Sequence, residues 1–286
     1  MTAAGIDTIG VVGAGFMGSG IAESVARAGA RVHIYEPQEE ALTRSRQRIE
    51  ASLARAVKNG RLDEAAASEA TARVSWTTQL ADLQQASLAI EAIVEDEAAK
   101  ATVFAQLDEI LPPDALIASN TSSIPIAQLA AATSRPDKVL GMHFFSPVPV
   151  MRLVEVVVAL ETSEQTVEKA ERLAEALGKR AIRTKDRSGF VVNMLLVPYL
   201  MAAVRMYEDG FASREDIDAG MQLGCGHPMG PLTLADFIGL DVLYAVCDSL
   251  YEEFKRDEYA PPPLMKRMVA AGRLGRKTGR GFYEYG

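Results

Sequence analysis

The chain holds three histidines, His33, His143 and His227. Imidazole changes charge near neutral pH, so these are the first side chains to weigh as proton acceptors. His143 lies near the end of the apolar run VLGMHF, and Glu155 lies near the start of the next, LVEVVVA. If the two runs pair across the intervening SPVPV, the carboxylate meets the ring, fixes its tautomer and stabilises an imidazolium. That is equipment for taking a proton from a hydroxyl. A lone histidine on an apolar run is also commonly a core residue with a satisfied ring, and at this level both readings stand. His33 alternates with Val32 and Ile34 and so faces a helix or solvent. His227 sits in GCGHPMGP and reads as a structural turn residue.

A second constellation opens the chain. Gly13-Ala-Gly15-Phe16-Met17-Gly18 follows the apolar run Ile9–Val12 and precedes a helical pattern through Ile21, Ala22, Val25 and Ala26. A further short apolar run ends at Glu36. A G-x-G-x-x-G pattern alone is weak, but a strand before it, a helix after it and an acid closing the next strand make a dinucleotide site. Gly13 permits the tight turn, Gly15 lets backbone approach a pyrophosphate, and Gly18 lets helix and sheet pack closely. Phe16 and Met17 start the helix whose free N–H groups would face the phosphates. Glu36 would accept from the adenosine ribose hydroxyls and repel a 2′-phosphate, which selects NAD over NADP. The bland reading is a Gly-rich turn beside a surface acid.

Two polar side chains sit where a substrate oxygen could be met. Ser122, in SNTSS, lies just past the strand-like ALIASN, where its hydroxyl could donate to an alkoxide or carbonyl. The same residues are apt caps for a helix over 124–132. Asn193 lies in FVVNMLLVPY. An amide there must find a partner or cost stability, and a substrate or a catalytic side chain would serve as well as a core group.

The elements that position these residues read as follows. Strand-like runs occur near Val74 and at 86–94, 115–120, 139–144, 153–159 and 181–184, with helices at 97–111, 124–132 and 164–178. This alternation after an opening βαβ unit calls for a doubly wound, largely parallel Rossmann-type sheet. Residues 38–70, charged and Ala-rich, read as one helix or as a hairpin broken at Asn59–Gly60, either projecting from the sheet or forming a solvated face. Beyond Asp186–Gly189 the pattern turns all-helical. The expected domains are 1–186, binding NAD, and 187–286, helical.

Bulk properties bound the function. The 286 residues, 48% hydrophobic and 24% charged, suit a soluble globular protein of about two domains. A formal net charge of −8 argues against nucleic acid. Cys225 and Cys247 lie far apart and fit neither a metal site nor a disulfide framework, so a reduced, cytoplasmic setting is the default. No leader pattern or membrane-spanning apolar run appears, and LLVPYLMAAV is too short to span.

Seven blocks, in order, carry a resemblance: GVVGAGFMGSGIA, AIEAIVED, ASNTSSIPI, GMHFFSPVPVMRLVEVV, SGFVVNMLLVPYLMAAVRMYEDG, GCGHPMGPLTLADFIGLD and GRKTGRGFYEY. Together they closely resemble the NAD-dependent 3-hydroxyacyl-CoA dehydrogenases, above all the single-function bacterial members acting on 3-hydroxybutyryl-CoA. The likeness covers nearly the whole chain and is weakest over 38–70. It implies reversible oxidation of (S)-3-hydroxyacyl-CoA to 3-oxoacyl-CoA, as in fatty-acid β-oxidation. It also implies His143 as general base, Glu155 as its orienting acid, and Ser122 and Asn193 at the substrate. Glu95, Lys100 and Lys277 would lie beside the cofactor with Ser122. Ser146 stands where the family commonly has Asn against the nicotinamide ribose, and has less reach. Ser52 and Lys58 are nearest to the family's CoA contacts. The helical domain would bind substrate and form a homodimer.

Two other classes compete. A related NAD-dependent hydroxy-acid dehydrogenase, acting on carnitine or a sugar acid, would use the same sheet and histidine without CoA. A non-catalytic NAD-binding protein would need none of the base machinery. A piece of a multifunctional enzyme is disfavoured, since no hydratase-sized segment precedes residue 1.

Overall fold

A computed structural model describes residues 7–286. The chain divides into two compact units, Met1–Asp186 and Arg187–Gly286.

The first unit is built on strands β1 (Thr8–Val12), β2 (Arg31–Tyr35), β3 (Val74–Thr77), β4 (Leu88–Glu91), β5 (Leu116–Ser119), β6 (Val139–Phe144), β7 (Leu153–Val158) and β8 (Arg180–Lys185). They form one eight-stranded sheet in the order β3-β2-β1-β4-β5-β6-β7-β8. Every neighbouring pair is parallel except β6 and β7, which run antiparallel. The central strands are continuous apolar runs because both faces are covered, and β1, β4, β5 and β6 are buried throughout. The order reverses between β2 and β4 about β1, the switch point outside which an open α/β sheet binds ligands.

Helices α1 (Phe16–Arg27), α2 (Glu39–Lys58), α3 (Glu64–Ala72), α4 (Glu97–Ile110), α5 (Ile126–Ala130) and α6 (Glu164–Ala176) cover the sheet. Residues 38–70 are a hairpin. α2 ends at Asn59, Gly60 turns with φ +66°, and the Asp63 carboxylate caps α3 by accepting from Ala66 N at 2.7 Å. Leu42, Ile49 and Leu53 of α2 recur at helical spacing and join α1 in one core. The inner face of the hairpin is therefore packed, and its outer face is solvated.

That core gathers α1, α2, α6 and the side chains of Met142, Phe144, Val154 and Val156. Successive strand residues point to opposite faces, so Gly141, His143, Glu155 and Val157 lie on the other face. A Cβ at Gly141 would meet Val157 and Ile126 of α5 there.

The second unit is helical: α7 (Val192–Glu208), α8 (Arg214–Cys225), α9 (Pro231–Ile238), α10 (Leu240–Phe254) and α11 (Pro263–Ala270). Its core includes Leu200, Met201, Leu232, Leu243, Leu250 and Phe282. Two buried carboxylates staple it. Asp218 accepts from Leu232 N and Thr233 N at the start of α9, and Asp236 accepts from Phe282 N and Tyr283 N of the tail. On α7, Leu195 is 73% exposed and Met206 40%. No helix among the described residues is long and apolar enough to cross a membrane.

Candidate active site

The antiparallel pairing of β6 and β7 sets His143 opposite Glu155 in register. The ring Nδ1 stands 2.7 Å from Glu155 Oε2. Glu155 is fully buried and His143 nearly so. With Nδ1 held by the carboxylate, Nε2 is the nitrogen that can exchange a proton. The Phe145 ring packs against the imidazole with centroids 4.6 Å apart. The end of β6 is tied to the neighbouring loop by Phe144 N, which donates to Asn120 Oδ1 at 3.0 Å.

Asn120 opens the loop that carries Ser122. Here the capping reading is divided among other residues. Thr121 Oγ1 accepts from Ser123 N and Ile124 N, and the first amides of α5, Ile126 and Ala127, donate to Asp186 at 2.8 Å each. Among the described residues the Ser122 hydroxyl caps no helix, and its backbone N–H donates to Glu95 Oε1 at 3.1 Å.

Glu95 belongs to a charge network at the ends of β4 and β5. Lys100 is buried in α4, and its Nζ lies 2.5 Å from Glu91 Oε1 and 3.1 Å from Glu95 Oε2. Glu91, fully buried, also accepts from Ser119 Oγ at 2.6 Å and from Ile93 N at 2.7 Å. Thr121 Oγ1 makes a short hydrogen bond to Glu95. Burial works against the Glu95 charge, but Lys100 and the Thr121 and Ser122 donors outweigh it and hold the carboxyl below its ordinary value. Sequence reasoning named Glu95 and Lys100 and missed Glu91, Ser119, Thr121 and Asn120. The available signal was Glu91, a lone acid inside an apolar strand.

The glycine loop has the space a pyrophosphate needs. Gly13 takes φ +104°, and a Cβ on it would stand 2.5 Å from the Ala92 carbonyl. A Cβ on Gly18 would collide with the Gly13 carbonyl, so this glycine packs helix against turn. A Cβ on Gly15 would meet nothing within 4 Å, which leaves room above the start of α1. Phe16 there is 59% exposed, and Met17 is half-buried. Glu36 reaches the same loop, its Oε2 accepting from Ala14 N at 3.2 Å. Helix N-terminus, open glycine and carboxylate together fit an adenine dinucleotide.

The matches with known proteins agree with this geometry. Residues 8–187 match the family model "3-hydroxyacyl-CoA dehydrogenase, NAD binding domain", and residues 189–285 match "3-hydroxyacyl-CoA dehydrogenase, C-terminal domain". The chain belongs to the 3-hydroxyacyl-CoA dehydrogenase family. It is an NAD-dependent oxidoreductase with a Rossmann domain followed by a helical one. A 3-hydroxybutyryl-CoA dehydrogenase of Mycobacterium tuberculosis is 55% identical over 282 residues, covering 98% of this chain and 99% of the relative. The crystal structure of FadB2 from that organism superposes with a TM-score of 0.97 at 54% identity, covering 98% of this chain and 99% of that one. The (S)-3-hydroxybutyryl-CoA dehydrogenase PaaH1 from Ralstonia eutropha gives 0.93 at 47%, with the same coverage.

The first unit thus brings together the glycine loop, Glu36, Glu95, Lys100, Ser122, His143 and Glu155. Ser146 is exposed in the β6–β7 segment. Lys58 is exposed at the end of α2, and Ser52, half-buried, hydrogen-bonds Glu23 of α1. Asn193 and Lys277 belong to the second unit. Asn193 is half-buried in the first turn of α7, and Lys277 Nζ donates to Asp241 Oδ2 at 2.6 Å.

Proposed function

We propose that the protein oxidises (S)-3-hydroxybutyryl-CoA to acetoacetyl-CoA, and reverses the reaction, with His143 as the general base. The single observation that carries this is the buried Nδ1–Oε2 contact of 2.7 Å between His143 and Glu155. It orients the ring and leaves Nε2 for the 3-hydroxyl proton. Glu155 balances the imidazolium as it forms, which makes the transfer easier without taking the proton itself. The Ser122 hydroxyl donates to the substrate's 3-oxygen, and Asn193 holds the acyl group. NAD, when bound, supplies the hydride acceptor. Gly13, Gly15, Phe16, Met17 and Gly18 carry its phosphates, Glu36 its adenosine ribose, and Glu95, Lys100, Ser146 and Lys277 line the rest of its site. Ser52 and Lys58 touch CoA.

The second unit forms a homodimer in the cytoplasm. Support comes from apolar side chains left in solvent on that unit, among them Leu195 and Leu223, the latter 88% exposed. Scattered exposed apolar residues are ordinary, but bulky ones at this exposure suit an interface.

The deciding experiment is His143→Gln, assayed as loss of NADH absorbance with acetoacetyl-CoA. Turnover is expected to fall by about two to four orders of magnitude, while NAD affinity holds. A variant with near-normal turnover would remove His143 from the chemistry. No consumption of NADH by the wild type with acetoacetyl-CoA would remove CoA thioesters from its substrates.

A further inference from the structure

β4 ends in a carboxylate that solvent does not reach. Glu91 is fully buried, on a central strand beside β1, where the strand order reverses. Ile90 belongs to the core on the α1 face, so Glu91 points to the opposite face. There it meets Lys100 at 2.5 Å, in the stripe of Lys100, Phe104 and Leu107 that α4 buries. Apolar residues filling two such positions are often neutral or stabilising, so stability alone does not account for the charges.

Glu91 reaches two loops. The first leaves β4 and carries Glu95. Ile93 N donates to Glu91 Oε1 at 2.7 Å, and Lys100 Nζ bridges from that oxygen to Glu95 Oε2 at 3.1 Å. The second leaves β5 and carries Ser122. Parallel register sets Ser119 opposite Glu91, and the Ser119 hydroxyl donates to Glu91 Oε2 at 2.6 Å. Asn120 N donates to the Glu91 carbonyl at 2.8 Å.

The loop 119–123 therefore hangs from Glu91 by two arms. In the short arm, Ser119 Oγ accepts from Thr121 N at 3.1 Å. A hydroxyl has one proton, and giving it to Glu91 leaves the lone pairs for the Thr121 amide. In the long arm, Lys100 holds Glu95. Glu95 Oε1 accepts from the Thr121 hydroxyl, and from Ser122 N and Ser123 Oγ at 3.1 Å each. Both carboxylate oxygens of Glu91 are engaged, and both arms end on groups that surround Ser122.

We propose that Glu91 is a positioning residue. From inside the sheet it sets the conformation of the loop 119–123, and so the place from which the Ser122 hydroxyl meets the substrate's 3-oxygen. The second step rests on the role given to Ser122 above; the first does not.

Glu91→Gln keeps the shape and removes the charge. Ser119→Ala cuts the short arm alone and leaves both carboxylates paired with Lys100. Each is made in wild type and in Ser122→Ala. Hydrogen exchange is followed at the amides of residues 121–124, and kcat is measured with acetoacetyl-CoA and NADH. In Glu91→Gln the Thr121 and Ser122 amides should exchange about tenfold faster, with the β6–β7 ladder unchanged. Its kcat should fall about ten- to a hundredfold. Ser119→Ala should free the Thr121 amide and cost less in kcat. In the Ser122→Ala background either substitution should cost about twofold or less, because the group it positions is gone. A purely structural carboxylate would lower the melting temperature, and its effect on kcat would multiply that of Ser122→Ala. Unchanged loop exchange in both variants overturns the proposal, as do multiplicative losses where Ser122→Ala is itself impaired. Freed loop amides together with normal turnover in Ser122→Ala would uphold Glu91 as the anchor of the loop and sink the substrate contact of Ser122 instead.

Discussion

Glu155→Gln separates an orienting carboxylate from the satisfied partner of a core histidine. The two groups lie 2.7 Å apart with the acid fully buried. During alcohol oxidation His143 gains a proton, so positive charge grows beside the carboxylate only as the reaction proceeds. With charge centres about 4 Å apart and an effective dielectric near 20, that attraction is worth about 4 kcal/mol. Glutamine keeps the shape and removes the charge. Its amide can also donate to Nδ1, which puts the ring proton on Nε2, where a base needs a lone pair. The expected result is a fall in kcat of about a thousandfold, with KM for NAD little changed. Steady-state rates in both directions, with a melting curve for each protein, measure it. A core-partner role predicts the opposite pattern, a lowered melting temperature with turnover kept. A kcat within about tenfold of wild type would refute the orienting role.

Lys100→Met strands the buried Glu91 carboxylate and should cost about 3–5 kcal/mol in denaturant unfolding, whereas Lys277→Met breaks a half-exposed pair and should cost about 0–1 kcal/mol; equal losses would contradict the burial difference. Glu36→Ala should raise KM for NAD about tenfold and alter NADP kinetics less, and an unchanged NAD-to-NADP ratio would count against the ribose contact. The Glu95 carboxyl is held below its ordinary value of 4.5 in the fold. Its contribution to stability is therefore present above pH 4.5 and lost as pH falls through the lower folded value. Glu95→Gln should shallow the acid limb of the stability curve; an unaltered limb would show that its pairing with Lys100 contributes nothing.

The contact between His143 and Glu155 was legible because of local chain logic. Two apolar runs joined by a Pro-rich segment can hardly pair except as neighbours, and the titratable residues sit near the joined ends. The glycine loop was legible because backbone demands, not side-chain preferences, select glycine there. The charge network was hidden for the converse reason. Lys100 follows EDEAA in a helix whose composition reads as solvated, and only the packing of α4 on β4 and β5 shows that it is buried. The contact of Ser52 with Glu23 of α1 was hidden too, because sequence does not fix how α2 is rotated about its axis. The caps on α5 escaped for lack of locality, since Asp186 comes from the far end of the domain.

The reversed strand pair explains why the His143–Glu155 contact can be built here at all. Parallel neighbours are joined by long crossovers, so the register between their residues depends on everything the crossover packs against. β6 and β7 are joined directly, and their register sets His143 opposite Glu155. A slip of one residue would send Glu155 to the α1 face, among Val154 and Val156 of the apolar core, where an unpaired carboxylate is costly. Hydrophobic patterning and charge burial therefore enforce the same register. The sheet changes direction next to the strand that carries His143, so the pair that depends on an exact register sits where the connection between strands is short.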